Sequence, residues 1–144
     1  MEKRLTMTIE PRPKERPRAT VVGGHARIYT PKTTEDYEKK IRSAWIKANG
    51  SDPIAGAVTV RIHLGMPIPK SSTKAARLKM LERKQVPVTK PDIDNLAKSI
   101  LDAINGVAYK DDNQIVTLLV KKYYAEVPFA KVIVEDWKPK EETS

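Results

Sequence analysis

The run Lys90-Pro91-Asp92-Ile93-Asp94-Asn95-Leu96-Ala97-Lys98 places two carboxylates and an ammonium around the start of one predicted helix. Lys110-Asp111-Asp112-Asn113 adds a second acidic pair a short way down the chain. Two carboxylates this close repel each other, so either one takes up a proton or a cation sits between them. A hard divalent ion such as Mg²⁺ suits all-oxygen ligands and reverses the usual cost of bringing acids together. Lys98, one turn beyond Asp94, is placed to hold a water, a phosphate oxygen or the charge of a phosphoryl transition state. A plainer reading stands beside this one. Acids are favoured in the first turn of a helix, Asp94 and Lys98 form an ordinary i,i+4 pair, and Asp-Asp-Asn is a common turn. Spacing alone favours the plainer reading.

These residues must be positioned by a helix and a strand. Pro91 biases Lys90 toward an extended conformation. Asp94 or Asn95 can cap the helix that follows, and Leu96, Ile100, Leu101 and Ile104 recur at helical spacing until Asn105-Gly106 stops the run. Those four side chains fall within an arc of roughly 140°, with Asp94, Lys98 and Asp102 together just outside it. Asp92 would point into the apolar face if helical, so it is placed before the helix, where a period of two sets it on one side with Asp94. Asp102 shares the polar edge but lies two turns from Asp94, roughly 12 Å along the axis, and is set aside as a ligand of the same ion. Asp111-Asp112 precedes an apolar strand, Ile115 to Tyr124, and can supply a further ligand if that strand returns beside Pro91-Ile93.

Upstream, Leu5-Thr6-Met7-Thr8-Ile9 alternates as a half-buried strand. Pro11 to Arg18 is extended by its three prolines and carries four cations. Its Lys14, Arg16 and Arg18, with Lys90 ahead of the acids, are the expected contacts to a DNA backbone; such contacts set affinity and position without reading sequence. Residues 19–29 read as a hairpin or an ordered loop. Thr33-Thr34-Glu35-Asp36 is expected to open a helix whose buried stripe is Tyr37, Ile41, Ala44, Trp45 and Ala48. Trp45 could stack on a base, but its phase with the stripe assigns it to the core.

Val58, Val60, Ile62 and Leu64 alternate with Thr59, Arg61 and His63, a strand with one wet face on which His63 meets solvent. Ser71-Ser72-Thr73 caps a basic helix, Lys74 to Lys84, with only a thin apolar seam, either a solvated helix or a clamp on a DNA arm. Phe129 to Glu135 is expected to pair antiparallel with Ile115 to Tyr124 across Glu126-Val127-Pro128. Glu126, Glu135 and Asp136 read as surface acids. No repeat, glycine-rich phosphate loop or Walker-type lysine motif is present, so no nucleotide cofactor is expected.

The chain has 144 residues, enough for one domain with a substantial core. Lys+Arg 27 against Asp+Glu 18 gives a net charge of +9, in the range of nucleic-acid binders though also of merely soluble basic proteins. Without cysteine there is no disulfide and no thiolate metal site, which fits a reducing cytoplasm. No signal-like run and no membrane span is present, and two histidines are too few and too scattered for a histidine-based site.

The stretch PDIDNLAKSILDAINGVAYKDDNQIV resembles the signature of the RusA family of Holliday-junction resolvases: D-x-D-N-L-x-K, an Ala/Leu-rich helix, an aromatic, an Asp-Asp pair and a Gln/Val strand. PKERPRAT and IYTPKTTEDYEKKI resemble the amino-terminal half of family members. The resemblance implies a small homodimer, in the main prophage-associated, that uses Mg²⁺ or Mn²⁺ to cut two opposed strands of a branched, four-way DNA junction. It implies Asp92, Asp94 and Asp112 as the essential, metal-binding acids, with Asp111 the less certain of its pair, and Lys98 as the catalytic lysine.

The expected fold is α+β, a mixed sheet of about four or five strands packed with two or three helices. It forms a single domain over residues 1–137, with 138–144 a frayed tail. A flap or branched-DNA nuclease and a non-catalytic basic nucleic-acid-binding module are the rival readings.

Overall fold

The alternation Val58, Val60, Ile62, Leu64 marks the strand at the centre of the molecule. The computed structural model describes residues 1–139. In it β1 (Glu2–Met7), β4 (Val58–Pro67), β5 (Ile115–Ala125) and β6 (Phe129–Asp136) form a mixed sheet of order β1-β6-β4-β5. β2 (Arg18–Val22) and β3 (His25–Tyr29) form a separate hairpin. Three helices complete the chain: α1 (Lys32–Asn49), α2 (Lys74–Leu81) and α3 (Ile93–Ala103). The α+β class is therefore the one expected from the sequence.

The core forms where the apolar stripe of α1 (Tyr37, Ile41, Trp45) and that of α3 (Leu96, Ile100) meet Val58, Val60, Ile62 and Leu64 of β4 and Val132 and Val134 of β6. Trp45 is fully buried, as its phase implied. Burial of such side chains contributes roughly 1.5–3 kcal/mol each, which is what holds α3 against the sheet. The two edges of the sheet differ. β1 carries Glu2, Lys3 and Arg4, whereas residues 115–120 of β5 carry no charge and leave Val116, Leu118 and Leu119 exposed.

One expected pairing is corrected. β5 and β6 are not partners: β5 runs parallel to β4 and β6 antiparallel to it, so β4 lies between them. A three-residue link has the length of a hairpin loop, but here it steps over the end of β4. Gly65 is what leaves room for the crossing. A Cβ at this position would collide with the Phe129 ring and approach the Ala125 Cβ to 2.9 Å. Gly65→Ala is thus expected to destabilise the fold by about 1–3 kcal/mol, the usual cost of overpacking, seen as a lower denaturant midpoint.

Other expectations shift in detail. α1 begins at Lys32 with Pro31 at the cap position, so Thr33 and Thr34 lie inside its first turn rather than capping it. Thr73 does cap α2, its hydroxyl accepting from the Ala76 N–H at 3.1 Å. His63 is half-buried against Tyr123 rather than open to solvent, because β4 is a central strand. Glu135 is not a free surface acid but pairs with Arg61, and Asp136 accepts from the terminal amine at 2.7 Å. No helix among the described residues is long and apolar enough to cross a membrane. Of the expected tail, residues 140–144 lie outside the described residues.

Candidate active site

The helix that carries the first acids starts earlier than its capping residues suggested. Asp92, with extended backbone (φ −68°, ψ 145°), holds the N-cap position of α3 but makes no side-chain cap bond. Its carbonyl accepts the first helical bond, from the Leu96 N–H at 3.1 Å. Asp94 then lies in the first turn, one helical residue beyond Ile93. The two acids therefore do not share a strand face; Asp92 is exposed at the helix mouth and Asp94 belongs to the helix surface.

α3 and β5 enclose a cavity of about 380 Å³ between them. Asp94, Lys98 and Asp102 line it from the helix, and Asp112 lines it from the turn that leads into β5. Leu118 and Val120 form an apolar wall on the strand side. Asp92 is not among the lining residues. The strand does return to the pre-helix segment, where the Lys122 ammonium donates to the carbonyls of Thr89 at 3.1 Å and Pro91 at 2.9 Å.

The acidic pair of the turn is divided in role. Asp111 caps the 3-10 turn Asp112–Gln114, accepting from the Asn113 N–H, and is not among the residues that line the cavity. Gln114 pins this turn, its amide oxygen accepting from the Asp111 N–H at 3.0 Å. Its amide nitrogen donates to the carbonyls of Ile54 at 2.9 Å and Gly56 at 2.8 Å. This is the local structure that lets Asp112, rather than its neighbour, line the site. Nothing in the sequence singled out Gln114 beyond its place in the resembling motif.

Asp102 was set aside by axial distance from Asp94, yet the cavity is long enough to include both. Its carboxylate lies 3.2 Å from the Lys14 ammonium and 3.7 Å from that of Lys98. Lys98 is the more exposed partner, its side chain 60% exposed. Lys14 also binds Glu38 of α1, and its backbone N–H donates to the Asn95 carbonyl at 3.0 Å. Ser99 of α3 donates to the Arg12 carbonyl at 2.8 Å. The proline-rich segment is thus tied onto α3, a role its composition did not reveal.

Of the four expected DNA contacts, Lys14 is the one that is not exposed. Its side chain is only 20% exposed, and its charge is taken up by Glu38 and Asp102. Arg16 and Lys90 are exposed, as is Arg18, whose guanidinium lies 3.7 Å from Glu15.

Burial works against the Lys14 charge, but bonds to Glu38 and Asp102 outweigh it and raise its pKa above the ordinary 10.5. A raised lysine pKa contributes stability that is fully present below 10.5 and is lost as pH rises through the folded value. Lys14→Met, which leaves Glu38 without its cation and Asp102 with Lys98 alone, is expected to cost about 1–3 kcal/mol. Denaturant melts should show this difference at pH 7 and a shrinking difference well above pH 10.5.

Beneath the acids lies Tyr109, fully buried, its hydroxyl donating to the Leu101 carbonyl at 2.6 Å. Burial, followed by the negative charges of Asp112, Asp102 and Asp111, drives its pKa far up. It stays a neutral donor.

Among the described residues no three acidic or histidine side chains stand close enough together to cage a metal ion. The donor set still fits a small hard dication, because Mg²⁺ keeps several waters and takes only one or two protein carboxylates, completing its shell with substrate phosphates. Asp94 and Asp112 face one cavity and supply such a pair.

A relative in Bacillus subtilis (strain 168), "Uncharacterized protein YqaN", is 30% identical over 135 residues, covering 92% of this chain and 95% of the other. Residues 8–135 match the family model described as "Endodeoxyribonuclease RusA", a span that contains the helix, the cavity and the acidic turn together. The chain belongs to the RusA endodeoxyribonuclease family.

Proposed function

We propose that this protein is a divalent-cation-dependent endonuclease that resolves four-way DNA junctions by hydrolysing phosphodiester bonds on two opposed strands. The observation that carries the proposal is the cavity in which Asp94, Lys98 and Asp112, distant in sequence, line one space. Asp94 and Asp112, with Asp92 at the N-cap of α3, would hold Mg²⁺, for which Mn²⁺ can be exchanged in an assay. Such an ion supplies Lewis-acid polarisation of the phosphate and a bound water of lowered pKa.

The chain's own groups do the rest. The first turn of α3 offers the positive end of the helix dipole beside Asp94. Lys98, which lines the same cavity, presents an exposed ammonium that stabilises charge developing on phosphate oxygens. Asp102, held by Lys14, keeps that ammonium near the site without being a ligand itself. Leu118 and Val120 limit water on one side. Arg16, Arg18 and Lys90 are exposed cations suited to phosphate contacts.

A junction with near two-fold symmetry calls for two sites at a fixed separation, which a C₂ dimer supplies. The uncharged, exposed edge of β5 beside the cavity supports a homodimer. Proteins that leave such an edge unpaired usually guard it with charge, as β1 does here.

The test is digestion of synthetic four-way, three-way, flap and linear DNA side by side in Mg²⁺, with product ends mapped. Paired nicks on opposed strands of the four-way junction are expected. Preferential cutting of flaps would replace the resolvase reading with a flap nuclease, and binding without any cutting would make the chain a non-catalytic module.

A further inference from the structure

The face of the sheet turned away from α1 and α3 carries a row of charge that the cavity does not use. Register sets His63 of β4 beside Lys131 of β6 on one side and Lys121 of β5 on the other. In the adjoining row Phe129 and Tyr123 flank Gly65. The Tyr123 ring lies 5.9 Å from that of Phe129 and 6.4 Å from that of His63, and the Arg83 guanidinium stacks 3.9 Å over Tyr123. In the row on the other side Arg61 is already neutralised by Glu135. Among the described residues neither Lys121 nor Lys131 has a carboxylate within ion-pair distance.

Here two ammoniums and a guanidinium surround one imidazole with no acid among them. Burial, then the charges of Lys131, Lys121, Arg83 and Arg61, hold the His63 pKa below its ordinary value, so the imidazole adds no further charge near neutrality. The row is a strip of positive charge with no paired acid, which an anion laid along it would complement. Neighbouring strands lie about 4.8 Å apart, which sets the Lys121 and Lys131 backbones roughly 10 Å from each other on a shallow surface. That shape suits an extended polyanion rather than a small one. The aromatic rings are occupied with each other and with Arg83, so they are not free to stack on bases.

We infer that the Lys121–His63–Lys131 row seats the phosphate backbone of a duplex DNA arm, on the opposite side of the sheet from the acidic cavity. The inference rests on the reading of the chain as a nuclease of branched DNA. β5 joins the two surfaces: Leu118 and Val120 line the cavity while Lys121, in the alternate phase, points to the row. One arm of a branched molecule can therefore engage the cavity while another lies on the opposite face of the sheet. The contact would set affinity without reading sequence.

The test is the double variant Lys121→Gln with Lys131→Gln, compared with the unaltered protein on a synthetic four-way junction over a salt series. Each phosphate contact contributes about 0.9 to the slope of log affinity against log salt, so the slope should become shallower by about 2. Junction affinity at low salt should fall about tenfold or more, while the cutting rate at saturating protein stays unchanged. The melting temperature should hold or rise, since two like charges are removed, which separates the result from misfolding.

An unchanged slope overturns the inference, and so does a variant that binds the junction normally but loses binding to polyglutamate, which would assign the face to an acidic protein. If the unaltered protein binds the junction with the steeper slope yet cuts nothing, the nuclease reading fails and the docking surface stands. If it cuts and the slopes coincide, the surface fails alone. A protein that does not bind the junction at all overturns both.

Discussion

Asp94→Asn is expected to lower junction cutting at least about 10³-fold while leaving junction binding within roughly twofold. The substitution keeps the shape of the side chain and its place in the first turn of α3. It removes one of the two carboxylates that face the cavity from opposite elements. Loss of a single charged contact to a reacting centre costs roughly 10²–10³ in rate, and on the proposed reading the same change would also weaken retention of the dication. Binding survives because it draws on exposed cations elsewhere on the surface, and a local negative charge opposes rather than aids the approach of DNA. Gel-shift titration in Ca²⁺ beside single-turnover cutting in Mg²⁺ would separate the two effects. Full cutting activity in this variant would reduce the acids to caps and ion pairs.

The second large effect concerns the platform under the site. Ile100 is fully buried on the inner face of α3, in the core that also holds Val60, Ile62 and Trp45. Ile100→Ala should cost about 2–5 kcal/mol, the lost transfer energy together with a cavity that rigid neighbours close only partly. Equilibrium denaturation should record this as a lower midpoint at nearly unchanged slope. At temperatures where the variant remains folded its cutting rate should fall far less than that of Asp94→Asn, because Ile100 points away from the cavity. A loss of stability under about 1 kcal/mol would mean that α3 is not held by this face.

The contrast between Asp94 and Ile100 also marks what the sequence made legible. The 3.6-residue period of Leu96, Ile100 and Ile104 found the helix and its buried face, and the period of two along Val58–Leu64 found the central strand, because burial acts on each side chain locally. It was less successful wherever one segment's position depended on another. The capping rules pointed to Asp94 or Asn95, but α3 starts two residues earlier than Asn95 with no cap bond to betray it. The short β5–β6 link suggested a hairpin, and only the steric opening at Gly65 explains how the chain crosses over β4 instead. Lys14 looked like one cation of an exposed, proline-rich loop. Its burial between Glu38 and Asp102 arises from the packing of α1 against α3, which no local pattern encodes.

The site itself was read in part. Lys98 and Asp94 share a helix edge, so their proximity follows from spacing, and Asp112 was expected beside them if the strand returned. Lys122 and its bonds to Thr89 and Pro91 show how that return is fixed. Asp102 was dismissed by measuring along one helix axis, whereas the cavity runs lengthwise between helix and strand. Asp111 and Asp112 could not be told apart by sequence position; the hydrogen bonds of Gln114 separate them.

The most direct measurement is calorimetric titration of the DNA-free protein with Mn²⁺, repeated on Asp94→Asn and on Asp112→Asn. Saturable binding in the unaltered chain, weakened at least about tenfold in each variant, is the expected result, since both carboxylates would hold the same ion. Equal affinity in all three proteins would contradict a shared dication and leave the cavity without the chemistry assigned to it.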